Sequence, residues 1–166
     1  MGDDSDDVWH PRPATDALAL LYDRFAPALY RTACGLLASA ADAEDVVHDV
    51  FVALARNRAL LPAIGDARSY LFTALRRAVA RRAARRSPGP LPDDVPDRRD
   101  PPERDERLEQ ALARLPAEQR EVIVLKIDGD MTFAELAAVF DISPNTAASR
   151  YRYAIEKLRA DLERDV

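Results

Sequence analysis

Residues 132–150 read TFAELAAVFDISPNTAASR, and this stretch decides the fold. Thr132 with Glu135 three residues on has the capping-box pattern, in which each side chain satisfies the other's backbone N–H at a helix start. Leu136, Ala137 and Phe140 follow at helical spacing and predict a short helix with one apolar face. Asp141-Ile142-Ser143 breaks it. Ser143 is placed to cap a second helix that begins with Pro144, where a missing N–H costs nothing. On that helix Ala147, Tyr151, Ala154, Ile155 and Leu158 fall on one side, while Asn145, Ala148, Ser149 and Arg152 fall on another. Two helices, a tight break and small polar residues at the exposed start of the second make a helix-turn-helix.

The pattern has a chemical use. A helix fits the major groove of DNA, and its first turns reach the base edges. Asn145 suits a bidentate pair with adenine, Ser149 pairs with several bases, and Thr146 offers a methyl or a hydroxyl. Arg150, Arg152, Lys157 and Arg159 are suited to phosphates, which position a helix without reading sequence. Helical hairpins with polar faces also occur in bundles that bind no DNA, so the pattern alone leaves the function open.

Outward from this motif the chain stays helical. Leu108, Ala111, Leu112 and Leu115 form one stripe, and Pro116 suits the first turn of a helix carrying Val122, Leu125 and Ile127 and ending near Gly129. Before these lies residues 87–102, with six of the chain's 12 prolines and with Asp93, Asp94, Asp97 and Asp100. Proline at that density prevents a helix and predicts an extended, solvated linker. In the first half, Thr15 is a candidate cap before Leu18, Leu21, Tyr22, Phe25, Leu29 and Ala33, with a kink or break expected at Pro27. Asp42 is a candidate cap for a second helix with Val46, Val47, Val50, Phe51 and Leu54 on its apolar face and Glu44, Asp45, His48 and Asp49 elsewhere. A third helix is expected from near Asp66, with Leu71, Ala74, Leu75, Ala78 and Val79 inward. No stretch alternates as a strand would.

Charge is unevenly placed. Over 166 residues, 24 Lys+Arg against 29 Asp+Glu give a net charge of −5, which argues against a protein that coats nucleic acid on its own. Yet residues 71–86 hold Arg76, Arg77, Arg81, Arg82, Arg85 and Arg86 and no acid, a local basic face suited to phosphates. Charged residues at 32% and hydrophobic residues at 48% give a globular balance. The lone Cys34 excludes an internal disulfide or a multi-cysteine zinc site and reads as a small apolar residue. Trp9 stands in an isolated segment as a candidate docking side chain. No membrane span or leader is read, so a cytoplasmic setting is expected. No Gly-rich phosphate loop, paired nucleophile and base, or metal cluster is present, so no catalytic residue, metal ligand or cofactor is expected.

Three motifs occur in order and carry a family resemblance. They are Ala43-Glu44-Asp45-Val46-Val47-His48-Asp49-Val50-Phe51, then Leu115-Pro116-Ala117-Glu118-Gln119-Arg120-Glu121-Val122, then residues 132–150 continuing to Leu158-Arg159. Together they resemble the bacterial RNA polymerase sigma factors of the extracytoplasmic-function class of the sigma-70 family. The resemblance implies an all-α chain of two small helical domains. A region 2 bundle at 15–86 and a region 4 helix-turn-helix at 104–164 would be joined by the Pro-rich acidic linker at 87–103, after an acidic N-terminus at 1–14. It implies core polymerase and promoter DNA as partners, with an anti-sigma factor as a further candidate, and no membrane insertion. Glu44, Asp45, His48, Asp49 and Phe51 would bind core polymerase. Tyr70, Arg76, Arg77, Arg81 and Arg82 would engage the −10 element. Asn145, Thr146, Ala148, Ser149, Arg150 and Arg152 would engage the −35 element. The linker acids would follow a path meant for RNA.

The chain departs from that family at four positions. Tyr70 stands where Trp is usual and keeps an aromatic plane. Arg77 stands where Asn is usual and exchanges a base-pairing amide for a phosphate-seeking cation. His48 replaces a common Gln, and Ala148 a frequent basic residue. Tyr70 and Arg77 favour one alternative, a sigma-like protein that binds polymerase or an anti-sigma factor without melting DNA; a free-standing helix-turn-helix regulator acting as a dimer on a palindromic target is the other.

Overall fold

The computed structural model describes residues 14–63, 66–85, 103 and 105–164. Trp9, the acidic N-terminus and the linker acids Asp93, Asp94, Asp97 and Asp100 lie outside the described residues. Among those described there are seven α-helices, one 3-10 helix (Arg58–Ala63) and no strand. The α-helices are α1 (Ala14–Leu36), α2 (Ala40–Arg56), α3 (Ala67–Arg85), α4 (Glu106–Arg114), α5 (Ala117–Ile127), α6 (Phe133–Phe140) and α7 (Pro144–Arg164).

α1 to α3 pack on one another through the stripes the sequence predicts. Phe25, Leu29 and Ala33 of α1, Val46, Val50 and Leu54 of α2, and Leu71, Leu75 and Ala78 of α3 are all buried. Several details differ from expectation. α1 begins at Ala14, so Thr15 lies inside the helix, and α1 runs unbroken through Pro27. Pro27 and Asp23, whose carbonyl loses its usual partner to the proline, are both exposed. The cap of α2 is Ser39, not Asp42: Ser39 is extended (φ −112°, ψ 123°) and its Oγ accepts from the Asp42 N–H at 3.3 Å. Asp42 is instead buried in the first turn. Asp66 caps α3, accepting from the Ser69 N–H at 3.1 Å and from the Ser69 hydroxyl. These bonds, the hydroxyl's first, hold the Asp66 carboxyl below its ordinary pKa.

The second half departs from simple amphipathic packing at α5. Val122, Ile123, Val124 and Leu125 are all buried, because α5 is enclosed by α1, α6 and α7. Ile127, expected inside, is 58% exposed. A smaller cluster of Ala111, Leu112, Leu115, Ile123, Ala154 and Leu158 joins α4 and α5 to α7. The larger cluster crosses between the halves. It holds Leu29, Leu54, Phe72 and Leu75 together with Val124, Leu125, Met131, Leu136 and Ala147.

Phe72 is the join. Its side chain is fully buried, and a Cβ added at Gly129 would stand 3.0 Å from Phe72 Cε1 and 2.5 Å from the Leu125 carbonyl oxygen. Glycine at 129 is thus required by close approach. The helix-turn-helix and the first three helices meet there as one packed body.

Candidate nucleic-acid and polymerase interfaces

The helix-turn-helix forms as its local signals dictate. Glu135 N–H donates to Thr132 Oγ1 at 3.1 Å and Thr132 N–H to Glu135 Oε2 at 2.7 Å, which completes the capping box. α6 ends at Asp141 in the left-handed region (φ 53°, ψ 50°), a conformation Asp tolerates better than most residues. The turn closes with Ile142 N–H on the Ala137 carbonyl at 3.0 Å. Ser143 Oγ accepts from Thr146 N–H at 3.1 Å and caps α7. Ala147, 1% exposed, pins the helix start to the core. Asn145, Thr146, Ser149, Arg150 and Arg152 are exposed around it, and Ala148 is half-buried. The Thr146 hydroxyl lies 2.8 Å from that of Ser143, and Arg152 donates to Ser149 Oγ at 3.5 Å. Tyr151 is half-buried edge-on to Phe133, with centroids 5.8 Å apart, while Tyr153 is exposed.

α3 divides its side chains among four environments. Leu71, Leu75, Ala78 and Val79 face the core. Tyr70, Arg77 and Arg81, near multiples of a turn apart, share an exposed face, and Arg77 and Arg81 have no ion pair among the described residues. Arg68, Phe72 and Arg76, each four residues apart, face the second half of the chain. Arg76 Nε lies 2.8 Å from Glu121 Oε2 of α5, and its guanidinium lies 4.3 Å from the Phe140 ring centroid of α6. Arg82 Nη2 donates to Asp42 Oδ1 at 2.7 Å and to Asp45 Oδ2 at 3.0 Å. Its bond to Asp42 holds the guanidinium charged more firmly than usual. Arg82 and Arg76 therefore stand engaged by carboxylates, while Tyr70, Arg77 and Arg81 stand open.

The acidic patch lies on two turns of α2. Asp45, His48 and Asp49 are exposed and Glu44 is half-buried. Phe51 is 6% exposed, packed edge-on against Tyr22 with centroids 4.8 Å apart. It supports that patch from beneath and offers no surface of its own. Arg68, Glu121, Glu135 and Gly129, which join the two halves, were not legible as a set in the sequence. The available signal was charge complementarity, two cations on one face of α3 against two carboxylates on α5 and α6.

Residues 21–88 match the family Sigma-70 region 2, and residues 105–158 match Sigma-70, region 4. The ECF RNA polymerase sigma factor RpoE of Cereibacter sphaeroides is 33% identical over 153 residues, covering 86% of this chain and 84% of that protein. The chain belongs to the extracytoplasmic-function class of sigma-70 family sigma factors. SigL of Mycobacterium tuberculosis, an ECF sigma factor of the same class, is 34% identical over 157 residues, covering 86% of this chain and 87% of that one. Among solved structures, CnrH in complex with the cytosolic domain of CnrY aligns with a TM-score of 0.67 and 28% identity, over 92% of this chain and 96% of that one. The sigma factor RpoE in complex with the anti-sigma factor NepR, from Bartonella quintana, shares the fold at a TM-score of 0.68 and 24% identity, over 92% and 98% of the chains. As a sigma factor, this chain directs RNA polymerase to specific promoters. No helix among the described residues is long and apolar enough to cross a membrane, and no group of potential metal ligands gathers among them.

Proposed function

We propose that the division of labour runs as follows, with domain boundaries at 15–86 and 104–164. The acidic face of α2, through Glu44, Asp45, His48 and Asp49, docks on core RNA polymerase. The exposed face of α3, through Tyr70, Arg77 and Arg81, meets the −10 element, with Tyr70 stacking on an unpaired base and the arginines on phosphate. The start of α7, through Asn145, Thr146, Ser149 and Arg150, enters the major groove of the −35 element. The polymerase supplies the catalysis, the protein works in the cytoplasm, and an anti-sigma factor of the kind seen with the structural relatives is its regulator.

One observation carries this reading. Asn145, Ser149 and Arg150 project from the fold while Ala147, on the same turn, is buried, so the helix start is held rigidly and left open. A rigid, pre-formed reader is what base recognition needs, since ordering it on DNA would cost affinity.

The test is transcription. Purified protein with core polymerase, supplied with fragmented genomic DNA, is expected to yield transcripts starting downstream of a shared two-part sequence. Transcripts with no shared upstream sequence would reject promoter selection by this chain.

A further inference from the structure

We propose that the cavity between the end of α1 and the α4–α5 pair binds a small monocarboxylate with an alkyl tail, of the medium-chain fatty-acid class, and that Arg120 receives its carboxylate. The proposal stands apart from the promoter and polymerase roles above.

The cavity has a volume of about 410 Å³, inside the roughly 300–1,000 Å³ range of small-molecule sites. Leu36 ends α1, Leu37 and Ala38 follow it, and Leu112 and Ala113 face them from α4. Ala40, the first residue of α2, completes the wall. These side chains offer hydrocarbon and no hydrogen bond, so they suit an alkyl chain. Alanine at 38, 40 and 113 leaves room that larger side chains would fill.

Arg120 is the polar end. It lines the cavity from α5 and is half-buried, and its Nε is buried with no hydrogen-bond partner among the described residues. Glu121, next in sequence, is already held by Arg76 at 2.8 Å. An N–H kept from water with no acceptor is costly, and a carboxylate that accepts from it removes that cost. The planar fork of a guanidinium also matches a carboxylate in shape.

The surroundings narrow the ligand further. The end of α1 and the start of α2 both border the cavity, so their opposed dipoles largely cancel there and Arg120 sets the sign of charge it accepts. Glu109 and Gln110 are exposed at the rim. Glu109 repels a second negative charge, which favours a monoanion over a phosphate or a dicarboxylate. A neutral or cationic head gains nothing from Arg120.

The test is a titration followed residue by residue. Isotope-labelled full-length protein is titrated with octanoate below its aggregation concentration, and in parallel with octanol and octylammonium, which carry the same tail. N–H resonances are recorded by NMR. Octanoate is expected to shift the amides of Leu37, Ala38 and Ala113 and the Arg120 Nε–H. It is expected to bind about tenfold more tightly than either control, the factor for its charge-assisted contact. Arg120→Met, similar in length and uncharged, is expected to bring octanoate down to the affinity of octanol. The comparison of three head groups on the wild type stands even if R120M does not fold. No shift at these residues, shifts spread over the whole chain, equal affinity for the three head groups, or unchanged octanoate affinity in folded R120M would overturn the site.

Discussion

Arg82 donates to Asp42 across 2.7 Å, tying the C-terminal part of α3 to the first turn of α2. The same nitrogen reaches Asp45 at 3.0 Å, so a residue of the basic run fixes one end of the acidic patch. Arg82 is a strut between the two faces, and its neighbour Arg81 is exposed with no ion pair among the described residues.

That difference is measurable. Arg82→Ala is expected to destabilise the fold by about 1–3 kcal/mol, because Asp42, 7% exposed, loses a charged partner inside the protein. On the proposed docking through α2, core polymerase affinity is expected to fall with it as Asp45 is released. Arg81→Ala is expected to leave stability within about 0.5 kcal/mol. Urea unfolding of the two variants checks both values; equal destabilisation would remove the distinction.

On the proposed role of α3, Arg81→Ala is expected to act instead on DNA. Loss of one phosphate contact is expected to reduce the slope of log affinity against log salt by about one. Titrations of holoenzyme on promoter DNA over a range of salt concentrations give that slope directly. An unchanged slope would place the strand elsewhere than on the exposed face of α3.

Base reading is assigned to α7. Asn145→Ala and Ser149→Ala are each expected to relax preference at one position of the −35 element, by about 1–3 kcal/mol for a good bidentate pair. The helix itself should persist, since Ser143 caps it and Ala147 anchors it. Selection from a randomised −35 library reports the change, and an unaltered sequence profile would move the reader off this helix.

Acid acts on the start of α3. Bonds from the Ser69 hydroxyl and N–H hold the Asp66 carboxyl below the usual carboxylate range, so the folded state holds fewer protons there than the unfolded state. Its stabilisation is therefore complete above the unfolded pKa and is lost as pH falls through the folded one. Asp66→Ala is expected to be less stable than wild type at neutral pH, with the gap closing below about pH 4. Unfolding free energies measured from pH 2 to 7 test the sign; a gap that widens in acid would contradict it.

How much of this was legible in the sequence follows the range of the interactions. The capping box at Thr132, the break at Asp141 and the cap at Ser143 span three or four residues, and all could be read before folding. The apolar stripes of α1 to α3 were legible because each of those helices packs on one broad side. α5 was not, since neighbours enclose it and its buried residues run consecutively from Val122 to Leu125. The arginine run was legible as a charge but not as a set of roles. Arg76 finds its carboxylate 45 residues away and Arg82 finds one 40 residues away, and no local pattern encodes such pairs. The seat of Phe72 on Gly129 is a meeting of the two halves, hidden for the same reason. Phe51 carries a family motif position yet is buried against Tyr22, and the motif alone did not reveal that burial.

The most direct measurement is permanganate footprinting of the holoenzyme on a promoter recovered by transcription mapping. If α3 holds an opened strand while α7 holds the upstream duplex, thymines in the −10 element become reactive, the −35 element stays protected, and Asn145→Ala weakens both signals. Transcription from that promoter with no reactive thymine near the start, or with the −35 element unprotected, would contradict the roles given to the two helices.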